Sequence, residues 1–281
     1  MKETFIGFNQ GQYGDIFMNL TACRVVKQIK PDCHLIFSIN ERYKGIKDIL
    51  KLSKDIDDFI IWENYDDFPS EGDRKKVQKL ADKGVKGHMF NPMPQHPEWD
   101  WYNRRHITDE VCFMHGLPRP TEEQMDFRME RPPLEEENTL TICTARRIEN
   151  SGELNKKALT HEQIDIVKNF AFKNKLELIQ IAGPEEEGIE GVEKFKGDYS
   201  ESVLKILKSR FLVSADTGMV WAASAFAHPV IGLYAWSYYW GASSCKNWTP
   251  KNKKQRTIEA DNMENIDLTL LEEELQNIYN N

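Results

Sequence analysis

Hydrophobic positions along the chain fall into short runs separated by stretches in which they recur every three or four residues. The runs Thr4 to Phe8, His34 to Ile39 and Asp58 to Trp62 read as buried strands, and between them Ile16 to Ile29 and Tyr43 to Leu52 carry helical spacing. The alternation resumes further on. Strands are predicted at Leu140 to Thr144, Leu176 to Ile181, Phe211 to Val213 and Val230 to Tyr234, with helices at His161 to Lys173, Ser200 to Lys208 and Met219 to Ala227. Strand and helix in turn imply a parallel sheet with helices on its faces. From Gly87 to Pro133 the pattern is less regular, and Arg131-Pro-Pro-Leu-Glu-Glu-Glu-Asn138 breaks it, being stiff with proline, acidic and poor in anything that packs. The expected organisation is a Rossmann-like domain over residues 1–130, a linker at 131–138, a second Rossmann-like domain over 139–265, and a closing helix within 266–281 that has room to cross back onto the first.

Composition narrows the class. The chain has 281 residues, 40% of them hydrophobic, enough for two ordinary cores. No apolar run approaches the ~18 residues that span a bilayer, and no signal peptide is expected, so the expected location is the cytoplasm. The cysteines Cys23, Cys33, Cys112, Cys143 and Cys245 are odd in number and scattered, which indicates neither a disulfide framework nor a zinc site. His88, His96, His106 and His115 are too irregularly spaced for a metal set, and no metal is expected. A net charge of −8 argues against a chain that coats nucleic acid, although Arg104-Arg105-His106 and Lys251 to Arg256 are local basic segments. Gly-x-Ser-x-Gly and P-loop patterns are both missing, which removes the usual anchors of hydrolases and kinases.

Several candidates for chemistry follow the predicted strands. Asp216-Thr217-Gly218 lies between a strand and a helix, where helix N–H groups and the positive dipole end suit a phosphorylated ligand; an ordinary helix cap would look the same. Gly11, Gly14 and Asp15 fall at the C-terminal edge of the first strand, where open parallel sheets bind ligands. Their spacing is not GxGxxG, which argues against a nicotinamide or flavin cofactor. Asp15 can cap its helix or take a proton from a hydroxyl. Arg146, Arg147, Lys156 and Lys157 can neutralise a diphosphate or form a solvated loop, and in Gly183-Pro184-Glu185-Glu186-Glu187 a carboxylate can accept from a ribose or simply open a helix. Trp99-Asp-Trp101-Tyr-Asn-Arg104-Arg105-His106 is the candidate acceptor surface, and Trp236 to Trp240 with Trp248 a second aromatic group; both also suit core packing. Asp55-Ile-Asp57 matches the DxD pattern of metal-nucleotide sites but reads better as a solvated turn.

Gly14-Asp15-Ile16, Lys157 with Ala-Leu-Thr-His-Glu162, Ala182-Gly183-Pro184-Glu185, Ser202 to Leu207, and Asp216-Thr217-Gly218 with Ala222-Ala223 and His228-Pro229-Val230 occur in the order seen in the heptosyltransferase-like glycosyltransferases of family 9. The chain resembles that family over most of its length, most strongly in the second half. The resemblance implies a GT-B fold, two Rossmann-like domains facing a central cleft, and inverting, metal-independent transfer of a sugar from a nucleoside diphosphate to a glycan or lipopolysaccharide-like hydroxyl. It implies Asp15 as general base, Lys157 as phosphate contact, Glu185 as ribose contact, and Thr217 and Gly218 as diphosphate contacts. Arg146, Gly183 and Asp216 complete the expected donor set, and Gly14, Trp99, Trp101, Arg104 and Arg105 the acceptor set; the nucleotide sugar is a co-substrate and no cofactor is expected. The chain departs from the family at Trp221, where a histidine is usual three residues after the glycine. Two alternatives remain at this point: a virus-type transferase acting on hydroxymethylated bases in DNA, and a nucleotide-sugar-binding module without turnover.

Overall fold

The computed structural model describes residues 3–9, 12–62, 75, 78–79, 82, 86–90, 106–114, 116–126, 129–145, 154–238 and 242–281. The chain divides into two compact units, one within residues 1–131 and the other running from Pro132 to Asn281. In the first unit, β1 (Thr4–Asn9), β2 (His34–Asn40), β3 (Asp58–Trp62) and β4 (Lys86–Phe90) form an all-parallel sheet in the order β3-β2-β1-β4. Strand β1 feeds directly into helix α1 (Tyr13–Ile29), which buries Ile16, Phe17, Leu20, Cys23 and Val26; helix α2 (Ile107–Met114) packs along it through buried Val111 and Cys112.

The second unit holds β5 (Thr139–Cys143), β6 (Glu177–Ile181), β7 (Glu193–Phe195), β8 (Phe211–Ala215), β9 (Val230–Ala235) and β10 (Gln255–Ala260), again all parallel, in the order β10-β9-β8-β5-β6-β7. From β5 the chain winds outward to β7, then returns and winds the other way to β10. This is the doubly wound dinucleotide-fold order, and it reverses between β5 and β8, where such sheets open a crevice at their C-terminal ends. Helices α3 (His161–Lys173), α4 (Tyr199–Lys208), α5 (Gly218–Ala225) and α6 (Leu268–Asn280) complete the unit. Their starts are written locally. Thr160 with Gln163, and Asp198 with Glu201, form reciprocal capping boxes, and Asp267 accepts the Leu270 N–H.

The closing helix, which sequence left room to return to the first domain, packs on α3 and β10 of the second unit. Leu271 and Leu275 join a core with Leu140, Phe211 and Ile231, while Tyr279 stands edge-on to Phe170 at 5.7 Å beneath the Arg210 guanidinium. Three strands carry no clear sequence signal. The β4 segment Lys-Gly-His-Met-Phe has no β-branched residue, β7 is three residues long, and β10 buries only Ile258, as an edge strand does. Among the described residues no helix is long and apolar enough to cross a membrane.

Candidate active site

Strand β8 ends at Ala215, and Asp216-Thr217 leads into α5. Thr217 is extended, with φ −133°, and its Oγ1 accepts the Met219 N–H at 3.3 Å, so it caps the helix. Ser214 donates to the Ala215 carbonyl at 2.7 Å, which leaves its oxygen to accept from the Thr217 hydroxyl at 3.0 Å. From the start of α4, the Tyr199 hydroxyl donates to the Gly218 carbonyl at 3.1 Å. The turn is therefore held from three directions at the positive end of a helix dipole.

Lys157 closes a short 3₁₀ turn, Leu154–Lys157, in the connection after β5, and the Leu159 N–H bonds the Thr144 carbonyl at 2.9 Å, bringing this segment back to the end of that strand. Its Nζ donates to Asp216 Oδ2 at 3.1 Å, the two side chains being 22% and 13% exposed. The Asp216 charge reaches inward as well: burial first, and then that charge, push the Tyr234 hydroxyl up. On the other side of β5, the loop after β6 turns back on itself. Glu186 Oε1 accepts the Gly183 N–H at 3.1 Å, and Lys194 donates to the Glu186 carbonyl at 2.7 Å. Glu185, on the same turn, is exposed. Because β6 and β8 flank β5, the segments bearing Lys157, Gly183, Glu185, Asp216, Thr217 and Gly218 all lie at one sheet edge. That edge offers an ammonium, a hydroxyl and a helix N-terminus to an anion.

In the first unit, Gly14 and Asp15 occupy the first turn of α1, directly after β1 and between β2 and β4 in the sheet. Asp15 Oδ2 accepts the Gln12 N–H at 2.8 Å, so the capping role that the sequence left open is realised. Tyr13 meets Tyr43, in the turn after β2, edge-on at 4.9 Å, which ties the two connections together.

The chain matches solved heptosyltransferase structures along nearly its whole length. Against ADP-heptose LPS heptosyltransferase II of E. coli the TM-score is 0.65, with 99% of this chain and 98% of that one covered at 15% identity. E. coli heptosyltransferase WaaC with ADP gives 0.60, with 98% and 99% covered at 14% identity, and the family 9 glycosyl transferase of Veillonella parvula gives 0.63, with 92% and 86% covered at 13% identity. The fold is GT-B. No family model matches the sequence, and no curated protein matches it. Identity this low carries the architecture, so the chemistry of this GT-B chain rests on its own residues.

Of the expected site residues, Arg146, Trp99, Trp101, Arg104 and Arg105 lie outside the described residues. His106, read with the acceptor segment, is 6% exposed and caps α2, its Nδ1 accepting the Thr108 N–H at 3.3 Å. It belongs to the interior and is no surface contact for nucleic acid. Asp55 pairs with Arg24 at 3.2 Å, and Asp57 holds Lys27 and the Leu35 N–H, so the DxD pattern braces the first unit. Trp248 is 3% exposed, which favours its packing role, and Trp221 is 2% exposed. Gln255 and Arg256, at the end of the second basic segment, begin β10. Sequence reasoning missed Tyr199 and Ser214, which left no signal, and named Glu186 only as one of three successive glutamates, without the Gly183 N–H as its partner.

Proposed function

We propose that this GT-B chain is a glycosyltransferase that moves a sugar from a nucleoside diphosphate to an acceptor hydroxyl with inversion and without a metal. The observation that carries the reading is the Lys157 ammonium paired at 3.1 Å with Asp216 beside the Thr217-capped helix start, at the point where the strand order reverses. In the reaction, the Asp15 carboxylate takes the proton of the acceptor hydroxyl as its oxygen attacks the anomeric carbon. The bond from that carbon to the diphosphate breaks, and its electron pair leaves with the phosphate oxygen, where Lys157 and the α5 N-terminus stabilise the new charge. Glu185 is assigned to the ribose and Gly183 to close approach of the nucleotide. Among structural neighbours, WaaC has been solved with ADP and with ADP-2-deoxy-2-fluoro heptose, which makes adenosine diphosphate sugars the first donors to try.

The reading is tested by titrating the chain with ADP, UDP and GDP and following the melting temperature, then assaying release of the diphosphate from the matching sugar nucleotide with glycan acceptors. A rise in Tm with one nucleoside diphosphate and acceptor-dependent release in EDTA are expected. Absence of binding to all three nucleotides would refute the donor site, and binding without release across acceptors would leave a nucleotide-sugar-binding module.

A further inference from the structure

Gln180 is the last residue but one of β6, fully buried, and none of the roles above uses it. Its side-chain amide is divided between two loops. Nε2 donates to the Glu187 carbonyl at 2.7 Å and to Thr144 Oγ1, at the end of β5, at 3.3 Å, while Oε1 accepts the Ile189 N–H at 2.8 Å. The orientation is fixed, because Ile189 presents a donor and Glu187 an acceptor, so the amide oxygen must face the first and the amide nitrogen the second. Thr144 in turn receives the Leu159 N–H on its carbonyl, two residues beyond Lys157. One buried amide therefore joins the loop that carries Gly183 and Glu185 to the segment that carries Lys157, across the gap between β6 and β5.

We infer that Gln180 is a positioning residue that sets the spacing between the nucleoside side and the diphosphate side of the donor site. The inference rests on the donor reading given above. A nucleoside diphosphate bridges two loops on adjacent strands, so its affinity depends on those loops already standing at the right separation, and ordering them during binding subtracts from that affinity. Glutamate in place of Gln180 keeps the acceptor and loses both donors; leucine keeps the volume and loses all three bonds, leaving the Ile189 N–H and Glu187 carbonyl without these partners. Inorganic pyrophosphate needs only the Lys157 side and has no stake in the spacing.

The test compares wild type with Gln180→Leu and Gln180→Glu, by calorimetric titration with ADP, UDP, GDP and pyrophosphate well below the melting temperature, and by steady-state transfer with the donor found for wild type. Both variants are expected to bind the nucleoside diphosphate about tenfold more weakly. Pyrophosphate affinity is expected to change less than twofold, and KM for donor to rise in step while kcat and KM for acceptor stay within about twofold of wild type. Should the Gln180 variants not fold, Thr144→Val, which removes one acceptor of the amide and keeps its shape, carries the same test through the same ratio of nucleotide to pyrophosphate affinity. Unchanged nucleotide affinity in a folded variant overturns the inference, as does an equal loss for pyrophosphate or a loss confined to kcat. Failure of wild type to bind any of the three nucleotides overturns the donor reading itself, and is seen before any variant is made.

Discussion

Replacing Lys157 by alanine removes an ammonium that holds Asp216 in the free protein and, in the donor reading proposed above, meets the diphosphate in the complex. At 3.1 Å, with an effective dielectric constant of about 20, the gross attraction within the pair is about 5 kcal/mol. Desolvation consumes much of this. Removing one partner of a fully buried pair costs about 3–5 kcal/mol, and side chains still 22% and 13% exposed recover part of it from water, which leaves about 2–3 kcal/mol. For a unit of this size that lowers Tm by about 4–12 °C.

Binding is affected separately from stability. Loss of a charge-assisted hydrogen bond to phosphate costs about 1.5–3 kcal/mol, or about 10- to 150-fold in affinity for the nucleoside diphosphate. In Lys157→Ala the Asp216 carboxylate remains, without this partner, and repels the incoming anion. Asp216→Asn removes that repulsion, so the double variant Lys157→Ala/Asp216→Asn should bind the diphosphate more tightly than Lys157→Ala alone, and Asp216→Asn alone more tightly than wild type. Calorimetric titration of the four proteins at low and high salt gives the full cycle, with the largest salt dependence in Asp216→Asn. Wild-type affinity in Lys157→Ala, or a double variant no better than the single one, would refute the placement of the diphosphate against this pair.

Asp15→Asn should keep its fold and nucleotide affinity, since asparagine Oδ1 can still accept the Gln12 N–H, while transfer falls at least ~100-fold; turnover near wild type would return Asp15 to capping alone. Gly232→Ala places a Cβ 2.6 Å from the ring of Tyr234, which is buried and bonded to Gln255, and should cost about 1–3 kcal/mol in a urea titration; an unchanged midpoint would show that the ring gives way freely. Transfer activity should survive EDTA, because Asp55 and Asp57 are committed to Arg24 and Lys27, and strict dependence on added Mg²⁺ would overturn this. Acid should weaken the fold. The hydrogen bond from Lys205 and its charge hold the Glu137 carboxyl below its usual range, and for Asp57 burial pushes up but the Leu35 N–H and Lys27 prevail and lower it. A depressed folded-state value gives stability that is fully present above the ordinary carboxylate value and lost as pH falls from there through the depressed one. Urea midpoints should therefore drop from pH 6 to pH 3, and drop less in Glu137→Gln; equal slopes for the two proteins would remove Glu137 from the account.

Parallel sheets make part of a site legible in the amino-acid sequence itself. A ligand binds where strands end, so locating β5, β6 and β8 from their apolar runs also locates the loops after Thr144, Ile181 and Ala215. The cap at Asp216-Thr217-Gly218 could be read because capping at a helix start is decided within a few residues of chain. The edge strands were not legible for the converse reason: β10 needs only Ile258 inside, and its remaining residues obey the solvent. His106 misled as part of a basic run because its partner, Thr108, lies two residues on in a helix that the irregular segment concealed.

What sequence could not supply is the choice among equivalent side chains within one loop. Three successive glutamates follow Gly183-Pro184, and nothing in their order says which one turns inward. The fold decides it by supplying a donor at the right distance: the Gly183 N–H takes Glu186, Lys194 fixes the backbone there, and Gln180 holds Glu187 and Ile189 from beneath. Glu185, next to a residue so firmly committed, is exposed. The same reasoning applies at the neighbouring turn, where Tyr199 comes from a different helix to fix the Gly218 carbonyl. Residues that touch a ligand on a parallel sheet can be found from local pattern, because the strand delivers them; residues that aim them come from other strands and helices, and become visible only when the sheet is assembled.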